Sequence, residues 1–280
     1  MNASAEQIRD QQKATWNKFS PGWKEWNQFT MAFLRPMGDE IIAALQLKPH
    51  DAVLDIATGT GEPGLTIAAA HPTSTVIGTD LAEGMLAIAA AHARTNGLAN
   101  YRTQVADVSA LPFPDASFDT VSCRMGFMFF PEMQLAAQEI ARVLKPGGRF
   151  ATSVWDAGDK NPWVVTMMGA IQRHVSLPPP VPGAPGMFRC AAPGMIAGFL
   201  REAGLVGITE KDLPGQLAYE SADQYWTMMM EVAAPVVAAM NQADEPARAR
   251  IKADVYGNLA RFPGAVTLGY GARIIAGVKP

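Results

Sequence analysis

Cysteine is scarce. The 280 residues hold only Cys123 and Cys190, at no metal-ligand or redox spacing, so a disulfide framework or a cysteine metal site is excluded and no metal is expected. Basic runs are missing too. Lys and Arg number 23 against 26 Asp and Glu, a formal net charge of −3 with no concentration of positive charge, which disfavours nucleic acid as a partner. No apolar run reaches membrane-spanning length, and the polar, charged residues 1–16 do not read as a signal peptide. The expectation is a soluble cytoplasmic protein, monomer or homodimer, with neither membrane nor nucleic acid as partner. Only four histidines occur. His50, His71 and His92 fall on a connecting loop, a helix end and a helix face and are expected at the surface. His174 is the one weak candidate for a general base.

What is present is a chain 49% hydrophobic and 18% charged, long enough for one large domain or a domain with a cap. Residues 4–18 pattern as an amphipathic helix, Ser20-Pro-Gly22 as a break, and 23–47 as helical with a kink or break at Arg35-Pro36. From position 51 short apolar runs alternate with helical stretches: strands at 52–57, 75–78, 102–106, 117–123 and 149–154, helices at 63–70, 83–95 and 131–144. Such alternation implies right-handed βαβ units and a parallel sheet, with ligands bound beyond the strands' C-terminal ends. After Asp156 the rhythm is lost. The proline-rich stretch 177–186 reads as a loop, 191–203 as a helix, 207–213 as a strand, 221–240 and 243–261 as helices, and 266–278 as a last strand, bulged at its glycines.

The chemistry concentrates after the first strand. Gly59, Gly61 and Gly64 allow positive φ and close approach of backbone to a ligand. Asp80 lies about 20 residues on, at the end of the second strand, where an acid suits the two hydroxyls of a ribose. Asp107, after the third strand, is placed to accept from the amino group of an adenine. Gly59-x-Gly61-x-x-Gly64 also fits a dinucleotide fingerprint, so a nicotinamide-dependent oxidoreductase is a rival reading. Against it stand Asp55 inside an otherwise apolar strand, the Leu144-Lys-Pro-Gly-Gly-Arg-Phe150 turn, and the lack of a Tyr-x-x-x-Lys hydride-site motif.

Val53-Leu-Asp-Ile-Ala-Thr-Gly-Thr-Gly61 resembles the first motif of the class I S-adenosylmethionine-dependent methyltransferases. Gly78-Thr-Asp-Leu-Ala-Glu-Gly-Met85 resembles their second. The stretch from Ala106 to Asp119 resembles the one spanning their third and fourth strands, and Ala141-Arg-Val-Leu-Lys-Pro-Gly-Gly148 the lead into their fifth. The resemblance covers roughly residues 50–155 and is nearest the branch of ubiquinone/menaquinone C-methyltransferases and small-molecule O-methyltransferases. It implies an α/β fold, a doubly wound, Rossmann-like sheet of seven strands, mostly parallel with the last antiparallel. Around it would lie an N-terminal helical lid (1–50), a cofactor-binding core (51–156), a cap or substrate region with the sixth strand (157–265) and the final strand (266–280).

The resemblance also implies site residues. Ala57, Gly59, Thr60 and Gly61 would meet the methionine part of S-adenosyl-L-methionine through backbone. Asp80 would hold the ribose, Leu81 and Met85 would lie on the adenine, and Asp107 and Val108 would hold its edge. Arg124 would lie beside the cofactor through its own backbone. Glu62-Pro63 and Arg124-Met-Gly-Phe-Met-Phe-Phe130 depart from the family's usual residues. Trp23, Phe127, Phe129, Trp155 and Asp156 are candidates for the substrate pocket. The methionines at 167–168 and 228–230 suggest an adaptable apolar cavity, and Trp16, Phe19, Trp23 and Trp26 an aromatic face over the cofactor. The reaction expected is methyl transfer to a small, fairly apolar acceptor at oxygen or carbon, such as a quinol, a phenol or another secondary metabolite. A cofactor-binding protein without catalysis is the third reading.

Overall fold

The computed structural model describes residues 4–179, 181, 183–262 and 264–280. The chain opens with two helices, α1 (Ala5–Glu25) and α2 (Asn27–Leu45). A capping box starts α1: the Ser4 hydroxyl accepts the Gln7 N–H at 3.2 Å, and the Gln7 side chain accepts the Ser4 N–H at 2.8 Å. The expected break at Ser20-Pro-Gly22 is not there, and α1 runs on to Glu25. Pro21 has no N–H to give the Asn17 carbonyl, but the Ser20 hydroxyl donates to that carbonyl at 2.9 Å and replaces the lost bond. The two helices meet at Trp26, and α2 runs as one helix through Pro36.

The alternating region follows: β1 (Ala52–Ile56), α3 (Gly64–Ala70), β2 (Thr75–Asp80), α4 (Glu83–Thr95), β3 (Tyr101–Val105), β4 (Phe118–Arg124), α5 (Met133–Val143) and β5 (Leu144–Trp155). The Lys145-Pro-Gly-Gly148 turn lies inside β5, where the register with β4 slips between the Phe118 and Thr120 pairings. Next come α6 (Pro162–Gln172), α7 (Met195–Glu202), β6 (Val206–Tyr219), α8 (Ala222–Val232), α9 (Ala234–Met240), α10 (Glu245–Leu259) and β7 (Val266–Val278). Helix α6 falls where the sequence shows no strand–helix rhythm. Its Pro-Trp-Val-Val-Thr-Met-Met start carries no polar face, so no amphipathic period marks it. The single helix expected over 221–240 is two, divided at Ala233 just before Pro235. The described residues of the loop at 177–186 form no helix or strand; Pro180 and Pro182 lie outside the described residues.

The sheet has seven strands in the order β3-β2-β1-β4-β5-β7-β6. Neighbours from β3 to β5 pair parallel, and β7 runs antiparallel to both β5 and β6. The bulge expected at the β7 glycines is found only opposite Gly277, where the pairing with β6 shifts between Val206 and Thr209; Gly269 and Gly271 pair in regular register. Gly271 and Gly277 also make room, since a Cβ on Gly271 would sit 2.9 Å from Lys160 Cβ and one on Gly277 2.6 Å from Ile208 Cδ1. Strand β6 is twice the expected length. It is the sheet edge, largely exposed, and carries Glu210, Lys211, Asp212 and Pro214, so its composition does not read as a buried strand. Helix α2 packs against β4, β5 and β7, and α1 against α4 and α8.

Candidate functional site

Between β1 and α3 the chain turns through Ala57–Pro63, with Ala57, Gly59 and Gly61 at φ of 52°, 57° and 116°. Asp55 shapes this turn from inside β1, where it is fully buried. Its Oδ2 accepts the Thr58 hydroxyl at 2.5 Å and the Gly64 N–H at 3.1 Å, and its Oδ1 accepts the Ser122 hydroxyl at 2.7 Å. Burial pushes this carboxyl up to about 6, although the three bonds and the Arg124 charge pull the other way. Tyr101 of β3 packs beneath, its hydroxyl 3.1 Å from that of Thr58. Burial raises this phenol far above its ordinary value. His92, expected at the surface, is half-buried on α4, and its Nδ1 lies 3.1 Å from the Thr60 carbonyl.

Two carboxylates face the turn. Asp80, at the end of β2, accepts the Gly59 N–H at 3.0 Å and the Ala82 N–H at 2.9 Å. Burial raises its carboxyl, against these bonds. Asp107, past β3, caps a one-turn 3-10 helix at Val108–Ala110 by accepting the Ser109 N–H at 2.8 Å. Arg9 of α1 reaches over to it, 3.2 Å from Oδ2.

One cavity joins these groups. On the β2–β3 side it is lined by Gly59, Thr60, Asp80, Leu81, Met85, Asp107 and Val108. Ala57, Glu62, Arg124 and Phe129 line it as well. Phe33, Leu34, Trp155, Trp163, Val164, Met187 and Met228 make the wall on the β5 side. Trp16 and Trp23 of α1 roof it. Trp16 stands edge-on to Trp23 and Phe129, with ring centroids at 6.1 and 5.2 Å. The cavity thus has its acidic groups Asp80 and Asp107 beside β2 and β3, the Arg124 cation at the end of β4, and the aromatic rings of Phe33, Trp155 and Trp163 beside β5.

Of the expected cofactor residues, all but Gly61 line this cavity. Gly61 faces away, and a Cβ there would meet Leu65 Cδ1 at 2.4 Å. Trp23, Phe129 and Trp155 are on the wall as expected for pocket residues, but Phe127 and Asp156 are not. Phe127 is fully buried in the core against Phe130 and Phe150, at 5.1 and 5.9 Å. Asp156 turns to the opposite side of β5. Lys160 Nζ lies 2.7 Å and Arg273 Nη2 3.2 Å from its Oδ2. Burial acts to raise this carboxyl, and the Lys160 bond, the Ala157 N–H and the Arg273 charge bring it below its ordinary value. His174 pairs with Asp254 at 2.8 Å and does not line the cavity. Phe19 and Trp26 do not line it either, and the Trp26 Nε1 donates to Glu231 at 2.6 Å.

Sequence reasoning missed Phe33, Leu34, Glu62, Trp163 and Met187 as wall residues. For Phe33 and Leu34 the apolar stripe of α2 was the available signal, and it reads as core. Among the described residues, no group of three or more His, Cys, Asp or Glu is placed to hold a metal, and no helix is long and apolar enough to cross a membrane.

Residues 53–148 match the family described as methyltransferase domain. A demethylmenaquinone methyltransferase of Thermus thermophilus is 46% identical over 106 residues, 38% of this chain and 47% of that protein. The nocamycin O-methyltransferase of Saccharothrix syringae is 29% identical over 209 residues, 70% of this chain and 74% of that protein. The chain spans less than half the length of most of the curated relatives it matches. In three dimensions it is similar to the YcgJ protein of Bacillus subtilis, with TM-score 0.58 and 21% identity, over 88% of this chain and 98% of that one. That likeness concerns the fold.

Proposed function

We propose that this chain, whose residues 53–148 match a methyltransferase domain, transfers a methyl group from S-adenosyl-L-methionine to a small, fairly apolar acceptor at oxygen or carbon. The observation that carries the reading is the division of one cavity into a polar half, built on the Gly59 turn, Asp80 and Asp107, and an aromatic, Met-containing half. The donor fits the polar half. Gly59 has open space where a Cβ would stand, so its backbone faces a ligand directly. Each oxygen of Asp80 accepts one backbone N–H and keeps a lone pair for a ribose hydroxyl. Leu81, Met85 and Val108 offer apolar surface for a flat base, with Asp107 at its edge.

When bound, the donor supplies a methyl group already activated on a sulfonium sulfur. The protein's part is to align the acceptor in line and to exclude water. Phe33, Trp155, Trp163 and Met228 give an acceptor an apolar bed. Trp16 and Trp23 roof the reacting region with aromatic faces suited to a cation. In this reading α1 and α2 form the lid, residues 51–156 the cofactor core, and 157–265 the acceptor side. The ionisable side chains among the described lining residues are Glu62, Asp80, Asp107 and Arg124, with no histidine, lysine, tyrosine or cysteine among them. The acceptor is therefore an acidic hydroxyl, as in a phenol or quinol, or an enolic carbon. Relatives named for methyl transfer to demethylmenaquinone and, at oxygen, to nocamycin accord with a small acceptor.

The test is transfer of labelled methyl from S-adenosylmethionine to a panel of quinols, phenols and enols, with products located by mass spectrometry. Methylation of an apolar acceptor at O or C supports the reading. Cofactor binding with no transfer to any acceptor would leave a binding protein instead of an enzyme.

A further inference from the structure

Arg124 ends β4, and its guanidinium lies in the cavity against α2. Its Nη1 is 3.5 Å from the Leu34 carbonyl and its Nη2 is 3.6 Å from Met31 Sδ. Both contacts are at the limit of hydrogen bonding, and neither partner carries a charge. Among the described residues, no carboxylate comes within the 4.0 Å of an ion pair. Arg124 is also the one cation among the described residues lining the cavity. A cation removed from water without a counter-charge is costly, and the structure sets an anion-binding fork there.

Its position narrows what the anion is. A Cβ built on Gly38 of α2 would lie 3.7 Å from Pro63 Cβ and 3.9 Å from Arg124 Nη1, so helix, turn and guanidinium converge. Beside Pro63 stands Glu62, which also lines the cavity and, among the described residues, accepts only the Thr66 N–H, at 3.1 Å. Burial lowers the Arg124 pKa, and the negative charges of Glu62 and then Asp55 work against that. The other two carboxylates on the wall each already hold two partners: Asp80 two backbone N–H groups, and Asp107 one with Arg9. Arg124 and Glu62 thus bear opposite charges on one end of one cavity without pairing with each other.

S-adenosylmethionine has one anionic group, the carboxylate of its amino-acid end, and an ammonium on the same carbon. We propose that Arg124 and Glu62 clamp this zwitterion, the Arg124 side chain pairing with the carboxylate and Glu62 with the ammonium. The assignment rests on the cofactor reading above and gives Arg124 a side-chain role in place of the backbone role implied by resemblance. The competing anion is an oxyanion of the acceptor, and the experiment separates the two.

Isothermal titration compares the wild-type chain, Arg124→Gln and Glu62→Gln with three ligands. These are S-adenosylhomocysteine, its decarboxylated analogue, which keeps the amine, and methylthioadenosine, which has neither group. Arg124→Gln weakens S-adenosylhomocysteine by about tenfold or more and leaves the decarboxylated analogue within about twofold. Glu62→Gln weakens both amine-bearing ligands and spares methylthioadenosine. An equal loss for all three ligands would reduce Arg124 to a structural prop and overturn the clamp. Unchanged binding of all three would assign the anion to the acceptor and overturn it as well. Failure of the wild-type chain to bind S-adenosylhomocysteine at all would reject the cofactor reading beneath it.

Discussion

The Gly59 backbone N–H donates to Asp80 Oδ2 at 3.0 Å, tying the tip of the β1 turn to the end of β2. One side chain thereby sets the turn and, through its remaining lone pairs, faces the cavity. Asp80→Ala is expected to weaken S-adenosylhomocysteine binding by about 1.5–3 kcal/mol, the loss of charge-assisted hydrogen bonds. Asp80→Asn keeps an acceptor for Gly59 and should lose less. Titration calorimetry checks both, and an unchanged Kd in Asp80→Ala would place the ribose elsewhere.

Asp55 makes stability depend on pH in an unusual direction. Its folded pKa, about 6, lies above the ordinary 3.8. Between about 4 and 6 the folded chain therefore holds a proton that the unfolded chain has lost, and stability falls as pH rises through that window and is flat above it. Two pKa units correspond to about 3 kcal/mol. Asp55→Asn removes this titration, so the wild-type advantage over Asp55→Asn, from urea unfolding, should be larger at pH 5 than at pH 8. A difference independent of pH would contradict the burial argument.

Gly78 is needed for space. A Cβ there would lie 2.2 Å from the Tyr101 hydroxyl oxygen and 2.9 Å from Tyr101 Cζ. Gly78→Ala is expected to cost about 1–3 kcal/mol, as overpacking does. Adding Tyr101→Phe removes the nearer clash and should recover part of it. No recovery in the double variant, measured by thermal unfolding, would mean the strain lies in the backbone.

Helix α1 is tied to the core by ion pairs, the half-buried Arg9 with Asp107 at 3.2 Å and the more exposed Lys13 with Glu83 at 2.6 Å. Such pairs add little to global stability, yet on the lid reading they would hold α1 over the cavity. Replacing Arg9 and Lys13 together by Ala should leave Tm nearly unchanged and speed S-adenosylhomocysteine release several-fold, followed by Trp16 and Trp23 fluorescence in stopped flow. An unchanged release rate would mean α1 does not gate the site.

The parts of this molecule that could be read in sequence are those in which one local pattern decides. Val53 to Gly61 is legible because a strand buried on both faces is a continuous apolar run, and Asp55 stands out within it. Asp80 and Asp107 are legible because they follow strand ends. What escaped depends on groups far apart in the chain. Asp156 is turned from the cavity by Arg273 of β7. Phe127 and Phe129 sit in one 3-10 turn, and only the packing of Phe150 decides which is core. Pro21 reads as a helix break until the Ser20 hydroxyl is seen on the Asn17 carbonyl. Glu62 and Arg124 gain meaning only when a cavity brings them together.

The central claim is that the polar half of the cavity is a methyl-donor site. Titrating the full chain with S-adenosylhomocysteine and, separately, with NAD tests it most directly. The account predicts one S-adenosylhomocysteine bound per chain and no heat with NAD; saturable NAD binding, or no S-adenosylhomocysteine binding at millimolar concentration, would contradict it.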